Sequence, residues 1–176
     1  PQLLCSVRIV DEEGMDVEGG AVGDLLFGGP GVTPGYWRNE EATRAAFTAD
    51  GWLRSGDLAR RDSDGFYYIA GRRKEMFISG GENVYPAEVE NVLAGHPAVA
   101  EVAVVPWPDE RWGEVARAFV LPVADASPGV DELRSFCRAR LAAYKVPKNF
   151  EFVTDFPRTA AGKIRKHRLV TTSGSR

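Results

Sequence analysis

The feature that most constrains the fold is a change of pattern in the middle of the chain, at residues 72–74. Before this point, short extended segments are divided by turns such as Asp62-Ser63-Asp64-Gly65, and a single short helix is predicted at residues 40–47. After it, apolar strands alternate with amphipathic helices. Because such a shift marks a boundary between compact bodies, the sequence predicts two bodies joined at a hinge.

The predicted fold class is α+β, with a mostly-β first part followed by a small α+β domain in which a short sheet packs with helices. In the second part, Cys137 lies on the apolar side of a predicted helix, so we expect it in the core. The predicted strands are residues 3–10, 22–27, 51–54, 58–61, 66–71, 76–78, 99–105, 115–123 and 150–153, and the predicted helices are residues 40–47, 86–94, 131–141 and 164–170.

Composition argues against several classes of function. The net charge of −3 opposes a nucleic-acid interface, which needs a basic excess. No apolar run has the length of a membrane span, and the first residues lack the form of a signal peptide. The two cysteines lie in different kinds of segment, so we expect no disulfide framework and a cytoplasmic location. His96 and His167 have no partner at ligand spacing, and no metal site is predicted.

Several short motifs follow one another through nearly the whole chain. Each one alone is weak, but their number, order and spacing together are specific. They are GAVGDL at residues 20–25, GVTPGYW at 31–37 with Thr43, GWLRSGD at 51–57, GRRKE at 71–75, GGENVYP at 80–86 and PRTAAGKI at 157–164.

In these motifs the chain resembles the C-terminal portion of the AMP-forming acyl-CoA synthetases, of the acyl/aryl-CoA ligase type within the adenylate-forming superfamily. Two positions depart mildly from the family pattern. Ser55 stands where members often carry Thr, and Asp24 where they usually carry Glu. Both replacements keep the side-chain chemistry.

The resemblance implies an enzyme that activates a small carboxylic acid with ATP to an acyl-adenylate and then transfers the acyl group to the thiol of CoA. Residues 1–71 would end the large N-terminal domain, residues 72–74 would form the hinge, and residues 75–176 would form the small mobile domain. The family's phosphate loop, acyl pocket and Mg²⁺-binding glutamate lie upstream of the matched motifs. We therefore expect this chain alone to be inactive in adenylation, with the missing large domain as its partner and Mg²⁺ held mainly by that part.

The resemblance assigns nucleotide binding to two residues. Asp57 would hold the ribose hydroxyls of ATP and of the acyl-AMP, since a carboxylate offers two acceptor oxygens. Arg72 would contact the adenylate. From the residues alone, a turn-capping aspartate is the favoured interpretation of Asp57, and Arg72 can be a surface arginine paired with Glu75 or an aspartate.

Three further roles follow from the same resemblance. Lys74 would be the hinge residue, and Lys163 the principal catalytic residue of adenylation, where an ammonium stabilises developing negative charge. Gly80, Gly81 and Glu82 would form a loop that lines the pantetheine tunnel. The plainer interpretations are a solvated lysine at 74, one more base in a basic tail at 163, and a turn with positive φ at the glycines.

The roles of an aromatic loop and of four basic residues are left open. The aromatic loop with Trp107, Asp109, Arg111, Trp112 and Gly113 is interpreted as structural first and as a CoA or interdomain surface second. The basic residues Arg138, Arg140, Lys145 and Lys148 are candidates for CoA phosphates, although solvated helix charges explain them as well.

Two alternative functions stay beside CoA ligation. One is an acyl-AMP ligase or adenylation domain that loads the phosphopantetheine arm of a carrier protein. The other is a binding module without catalysis.

Overall fold

The computed structural model describes residues 4–172. The chain divides into two compact units, Pro1–Lys74 and Glu75–Arg176. Each unit has its own sheet and its own buried residues. The α+β class predicted from the sequence is confirmed, whereas the motion expected at residues 72–74 stays a prediction. No helix in the described part of the chain has the length and apolar character needed to cross a bilayer.

The first unit is a four-stranded antiparallel sheet whose strands lie in chain order. Alternation along the strands buries Ile9, Leu25 and Ala59 together on one face. The strands are β1 (Ser6–Val10), β2 (Gly23–Gly28), β3 (Leu53–Arg61) and β4 (Tyr67–Arg72), and helix α1 spans Glu40–Ala46.

One prediction for the first unit is wrong. Residues 51–54 and 58–61 were expected as separate extended segments, but β3 runs unbroken through Gly56, with a bulge between Leu58 and Ala59. Gly56 has a φ of 74°, a conformation that a residue without Cβ adopts easily. The glycine therefore bends the strand without ending it.

Among its described residues, the second unit contains one five-stranded sheet and three α-helices. Its strand order is β6-β5-β8-β7, and β9 pairs parallel with β8. The elements are β5 (Phe77–Ser79), β6 (Glu82–Val84), α2 (Pro86–Ala94), β7 (Val99–Asp109), β8 (Gly113–Pro122), α3 (Val130–Arg138), β9 (Asn149–Phe152) and α4 (Lys166–Thr172).

The sheet of the second unit is covered on both faces. Val102 and Val104 belong to a core cluster that includes Leu93 of α2 and Leu133 of α3. The residues between them, Ala103 and Val105, belong to a second cluster with Phe119 and with Leu169 of α4. Burial on both faces explains why this strand is a continuous apolar run instead of an alternating one.

The β7 strand is longer than predicted. Residues 106–109 were expected in a loop because they contain Pro106 and Pro108, but the strand continues to Asp109. A proline has no N–H to give to a neighbouring strand. Since β7 lies at the edge of the sheet, and the two prolines are two residues apart, their missing donors both fall on the unpaired side.

The prediction that Cys137 lies in the core is confirmed, because the residue is fully buried. Burial raises the pKa of its thiol from 9.0 to about 11, and the nearby charge of Arg140 opposes that rise only weakly. The folded-state pKa thus lies above the unfolded value. The stability gained from burying the neutral thiol is therefore complete below pH 9 and is lost as the pH rises toward 11.

We expect Cys137 to resist alkylation in the folded chain. At pH 8 only about one thiol in a thousand would be ionised, so iodoacetamide should label it at least ~100-fold more slowly than an unfolded cysteine. The measurement is mass spectrometry of the Cys5→Ser variant with and without urea, which leaves Cys137 as its single thiol. Equal labelling rates in both conditions would contradict the burial.

Candidate functional site

Asp57 and Arg72 face each other across the β3–β4 pair. Arg72 Nε lies 2.9 Å from Asp57 Oδ1, and the arginine side chain is 52% exposed while the aspartate is 25% exposed. Asp57 lies inside strand β3 and therefore does not cap a turn. An ion pair this open to solvent adds little stability. Because little is lost when it opens, both side chains remain available to a ligand.

The bend at Gly56 is held by Ser55. The Ser55 hydroxyl donates to the Leu25 carbonyl at 2.7 Å and accepts from the Asp57 N–H at 3.0 Å, while the Arg72 guanidinium donates to the Ser55 carbonyl at 3.2 Å. The hydroxyl is what this position needs, which explains why Ser can replace Thr. These bonds set the position of the Asp57–Arg72 pair.

The residues on either side of Lys74 are held by ion pairs within their own units. Lys74 lies in a 3-10 turn, Arg73–Glu75. The Arg73 guanidinium contacts Asp24 at 3.1 Å and Glu12 at 3.0 Å in the first unit. Glu75 does not pair with Arg72 but accepts from Lys166 at 2.8 Å in the second unit.

Lys74 itself differs from these neighbours. Its side chain is exposed, and within residues 4–172 it forms no ion pair and no side-chain hydrogen bond. Sequence reasoning missed the roles of Glu12 and Asp24, since nothing in the local pattern links them to Arg73. The carboxylate common to Asp and Glu accounts for the Asp24 departure from the family pattern.

Gly80 and Gly81 form the two-residue turn of the β5–β6 hairpin, in which Ser79 faces Glu82. Their φ angles of 60° and 90° fit a type I′ turn, which favours glycine at both positions. The plainer interpretation of the glycines as a turn with positive φ is thus confirmed, and Glu82 is the first residue of β6. The part of these residues in a pantetheine tunnel stays a prediction.

Gly80 also allows a close approach within the second unit. A Cβ at this position would lie 2.4 Å from Cε3 of Trp112, and the Gly80 N–H donates to the Trp112 carbonyl at 3.0 Å. Gly81, by contrast, faces open space. The hairpin turn is thus packed on Trp112 on one side and free on the other.

A cleft of about 660 Å³ lies beside this turn in the second unit. It combines two aromatic rings, Trp112 and Tyr144, with three basic side chains. Arg134 pairs with Asp131 at 2.7 Å and Lys148 lies 3.6 Å from Asp109, whereas Arg138 makes no ion pair with any described residue. The lining residues are Ser79, Trp112, Arg134, Arg138, Leu141, Ala143, Tyr144, Val146, Pro147 and Lys148.

The structure separates the basic candidates into two groups. Arg138 and Lys148 line the cleft. Lys145 instead pairs with Glu88 at 2.7 Å, and the Arg140 guanidinium stacks 3.7 Å from the Phe136 ring centroid. Of the aromatic segment at residues 107–113, Trp112 alone is a lining residue.

Lys163 follows a tight turn that is held by backbone hydrogen bonds. Its N–H donates to the Thr159 hydroxyl at 3.1 Å, and its carbonyl accepts from the Thr159 N–H at 2.8 Å. Gly162 has a φ of 80°, and Arg158 donates to its carbonyl and pairs with Glu101. Within residues 4–172 the ammonium of Lys163 has no hydrogen-bond or ion-pair partner, so a fixed backbone presents a free cation.

The described residues contain no group of three side chains suited to hold a metal ion. His96 is buried and serves the fold, since its Nδ1 accepts from the Ala98 N–H at 3.2 Å and its Nε2 lies 3.4 Å from Glu132.

Comparison with known proteins identifies the family. Residues 88–163 match the model of the AMP-binding enzyme C-terminal domain. The chain is 48% identical over 162 residues to an indoleacetate–CoA ligase of Aromatoleum aromaticum, covering 92% of the chain and 32% of the relative. It is also 48% identical to a feruloyl-CoA synthase of an Amycolatopsis species, covering 94% and 34%.

A solved structure gives the same result. The o-succinylbenzoate CoA synthetase of Bacillus subtilis, in complex with its acyl-adenylate intermediate, superposes with a TM-score of 0.89 at 40% identity, covering 96% of this chain and 34% of that chain. The chain thus spans about a third of the length of the relatives it matches. It carries the AMP-binding enzyme C-terminal domain and matches the C-terminal part of CoA ligases of the adenylate-forming superfamily.

Proposed function

We propose that the chain acts as the C-terminal part of a longer acid–CoA ligase, called the full-length ligase below. This ligase forms an acyl-adenylate from a carboxylic acid and ATP and then transfers the acyl group to CoA. The observation that carries the proposal is the presentation of Lys163, a free ammonium on a turn whose backbone is held on both sides. A solvated lysine in a basic tail needs no such support.

In the first half-reaction, a carboxylate oxygen of the acid attacks the α-phosphorus of ATP and pyrophosphate leaves. Both reactants are negative, so a cation aimed at them screens their repulsion and stabilises the charge that develops. Lys163 supplies that cation as a compact charge on a long stem. One positioned group of this kind is worth about 3–4 kcal/mol in the transition state.

Asp57 and Arg72 hold the nucleotide in this proposal. The carboxylate accepts from the vicinal ribose hydroxyls, and the guanidinium, already oriented by Asp57 and Ser55, keeps donors for ribose or phosphate oxygens. The cross-strand geometry supports a shared role for the two residues, since one ligand can reach both.

In the second half-reaction, the CoA thiol attacks the acyl carbonyl and AMP leaves. Rotation about Lys74 withdraws Lys163 and brings the Gly80–Gly81 turn and Glu82 to the thiol's path. The free side of Gly81 leaves room for the pantetheine arm. The cleft beside the turn takes the phosphoadenosine end of CoA, where aromatic rings meet the base and Arg138 meets a phosphate.

The cleft favours CoA over a carrier protein as the acceptor. A carrier's phosphopantetheine arm has no adenine or 3′-phosphate, so it makes no use of a basic, aromatic cleft beyond the turn. A binding module without catalysis has no need of the unpaired Lys163. The binding of Mg²⁺ outside this chain, the cytoplasmic location and the inactivity of the chain alone stay predictions.

We expect Lys163→Ala in the full-length ligase to slow adenylation about 10²- to 10³-fold and to spare thioester formation from supplied acyl-AMP. Pyrophosphate release measures the first half-reaction and acyl-CoA formation the second. The present chain alone, assayed in parallel, should release no pyrophosphate. Normal adenylation by the variant would refute the role of Lys163.

Lys74→Pro should impair one half-reaction far more than the other, because proline restricts φ to about −65° and holds one conformation of the hinge. Both half-reactions are measured separately, as above. Lys74→Ala separates the loss of charge from the loss of rotation, since alanine leaves φ free. An equal loss of both half-reactions in the proline variant would count against a hinge.

Arg138→Ala should raise the KM for CoA about tenfold, equivalent to about 1.4 kcal/mol of binding, and leave the rate with phosphopantetheine unchanged. Arg140→Ala is the matched control, since that arginine stacks on Phe136 away from the cleft. Steady-state kinetics of thioester formation with both thiols measures the effect. A wild-type preference for a holo-carrier protein over CoA would support the carrier-loading alternative instead.

A further inference from the structure

Lys166, the first residue of α4, joins three elements of the second unit through its ammonium. Nζ lies 2.8 Å from Glu75 Oε2 and 2.7 Å from Glu90 Oε1. Glu75 ends the 3-10 turn that contains Lys74, and Glu90 lies in α2. The same Glu90 oxygen also accepts from the Val104 N–H of β7 at 2.7 Å.

This cluster of Lys166, Glu75 and Glu90 is partly buried. The Lys166 side chain is 25% exposed, that of Glu90 19% and that of Glu75 36%. Burial opposes the charged ammonium, but the two carboxylates outweigh it and raise the pKa of Lys166 above its usual value. The lysine therefore carries its charge at neutral pH.

Lys166 is three residues from Lys163, and backbone hydrogen bonds hold the segment that joins them. The Arg165 N–H donates to the Pro157 carbonyl at 2.7 Å, at the start of the turn that presents Lys163. On the other side, Leu169 of α4 is buried in the core cluster with Ala103 and Phe119. A displacement of the start of α4 would therefore move the Lys163 turn.

At its other end the cluster reaches the residue next to Lys74. Arg73 is paired with Asp24 and Glu12 in the first unit, and Glu75 with Lys166 in the second. Lys74, between these two anchored neighbours, has no such pair within residues 4–172. A backbone rotation at Lys74 would therefore leave the ion pairs on both sides of it intact.

We infer that Lys166 is a positioning residue, which couples the backbone rotation at Lys74 to the placement of the Lys163 ammonium for adenylation. Glu75 is the first residue of the second unit. Without its contact with Lys166, a displacement of Glu75 would no longer be transmitted to the Lys163 turn. The inference rests on the proposed function of Lys163 and Lys74. It adds a residue that acts through Lys163 and does not itself touch the reactants.

The test uses the full-length ligase with Lys166→Met, which keeps the length of the side chain and removes its charge. We expect adenylation to slow about 10- to 100-fold, as small misplacements of a catalytic group do, and thioester formation from supplied acyl-AMP to change little. Lys166→Arg should restore most of the rate. Arg165→Met is the matched control, because it removes a neighbouring charge that forms no ion pair with the described residues.

The double variant Lys163→Ala, Lys166→Met separates positioning from a general effect on folding. If Lys166 acts through Lys163, the double variant adenylates no more slowly than Lys163→Ala alone. Multiplying losses, or an equal fall in both half-reactions with a lower melting temperature, would overturn the inference. So would normal adenylation by Lys166→Met while Lys163→Ala is slow, a result that leaves the proposed function intact. Normal adenylation by Lys163→Ala would overturn both.

Discussion

The pairing of β7 with β8 is the interaction on which the second unit depends. The two strands run antiparallel from Val99 to Asp109 and from Gly113 to Pro122, and both faces of the pair are buried. One face receives α2 and α3, and the other receives α4 and the segment through Phe156.

Because the helices pack on one pair of strands, the turns at the margins of that pair are held in defined places. The Gly80–Gly81 turn is attached through Trp112, and the Lys163 turn through Arg158, which pairs with Glu101 of β7.

The cationic side chains of this chain differ in whether a carboxylate holds them. Arginines and lysines at structural positions have carboxylate partners, as Arg73 has Asp24 and Lys145 has Glu88. Lys163 and Lys74 have none within the described residues. Holding a long cationic side chain costs conformational entropy, and the ammonium groups of Lys163 and Lys74 do not bear that cost. In the proposed function these two unpaired lysines serve adenylation and the hinge, whereas Arg72, which is paired with Asp57, serves nucleotide binding.

Much of the fold could be predicted from local patterns. Helix α2 was predicted with its observed bounds because Pro86 starts it and its apolar residues recur at helical spacing. The end of β7 was missed because a proline normally breaks a strand, and only the sheet shows that this strand lies at the edge. The short strand β6 was missed for a different reason. Two of its three residues, Glu82 and Asn83, are of types that are depleted in strands, and only the pairing with β5 shows that they are extended.

By itself, the sequence determined the α+β class, the two-part division and the identities of the candidate residues, since these follow from periodicity, turn chemistry and ordered motifs. Only the tertiary structure decided which residues work together. Asp57 meets Arg72 because their strands pair in one register, and Gly80 is needed under Trp112 because two distant turns touch. Lys166 reaches Glu75, although 91 residues separate them along the chain. Contacts of this range are set by packing of the whole domain, and no local pattern of residues encodes them.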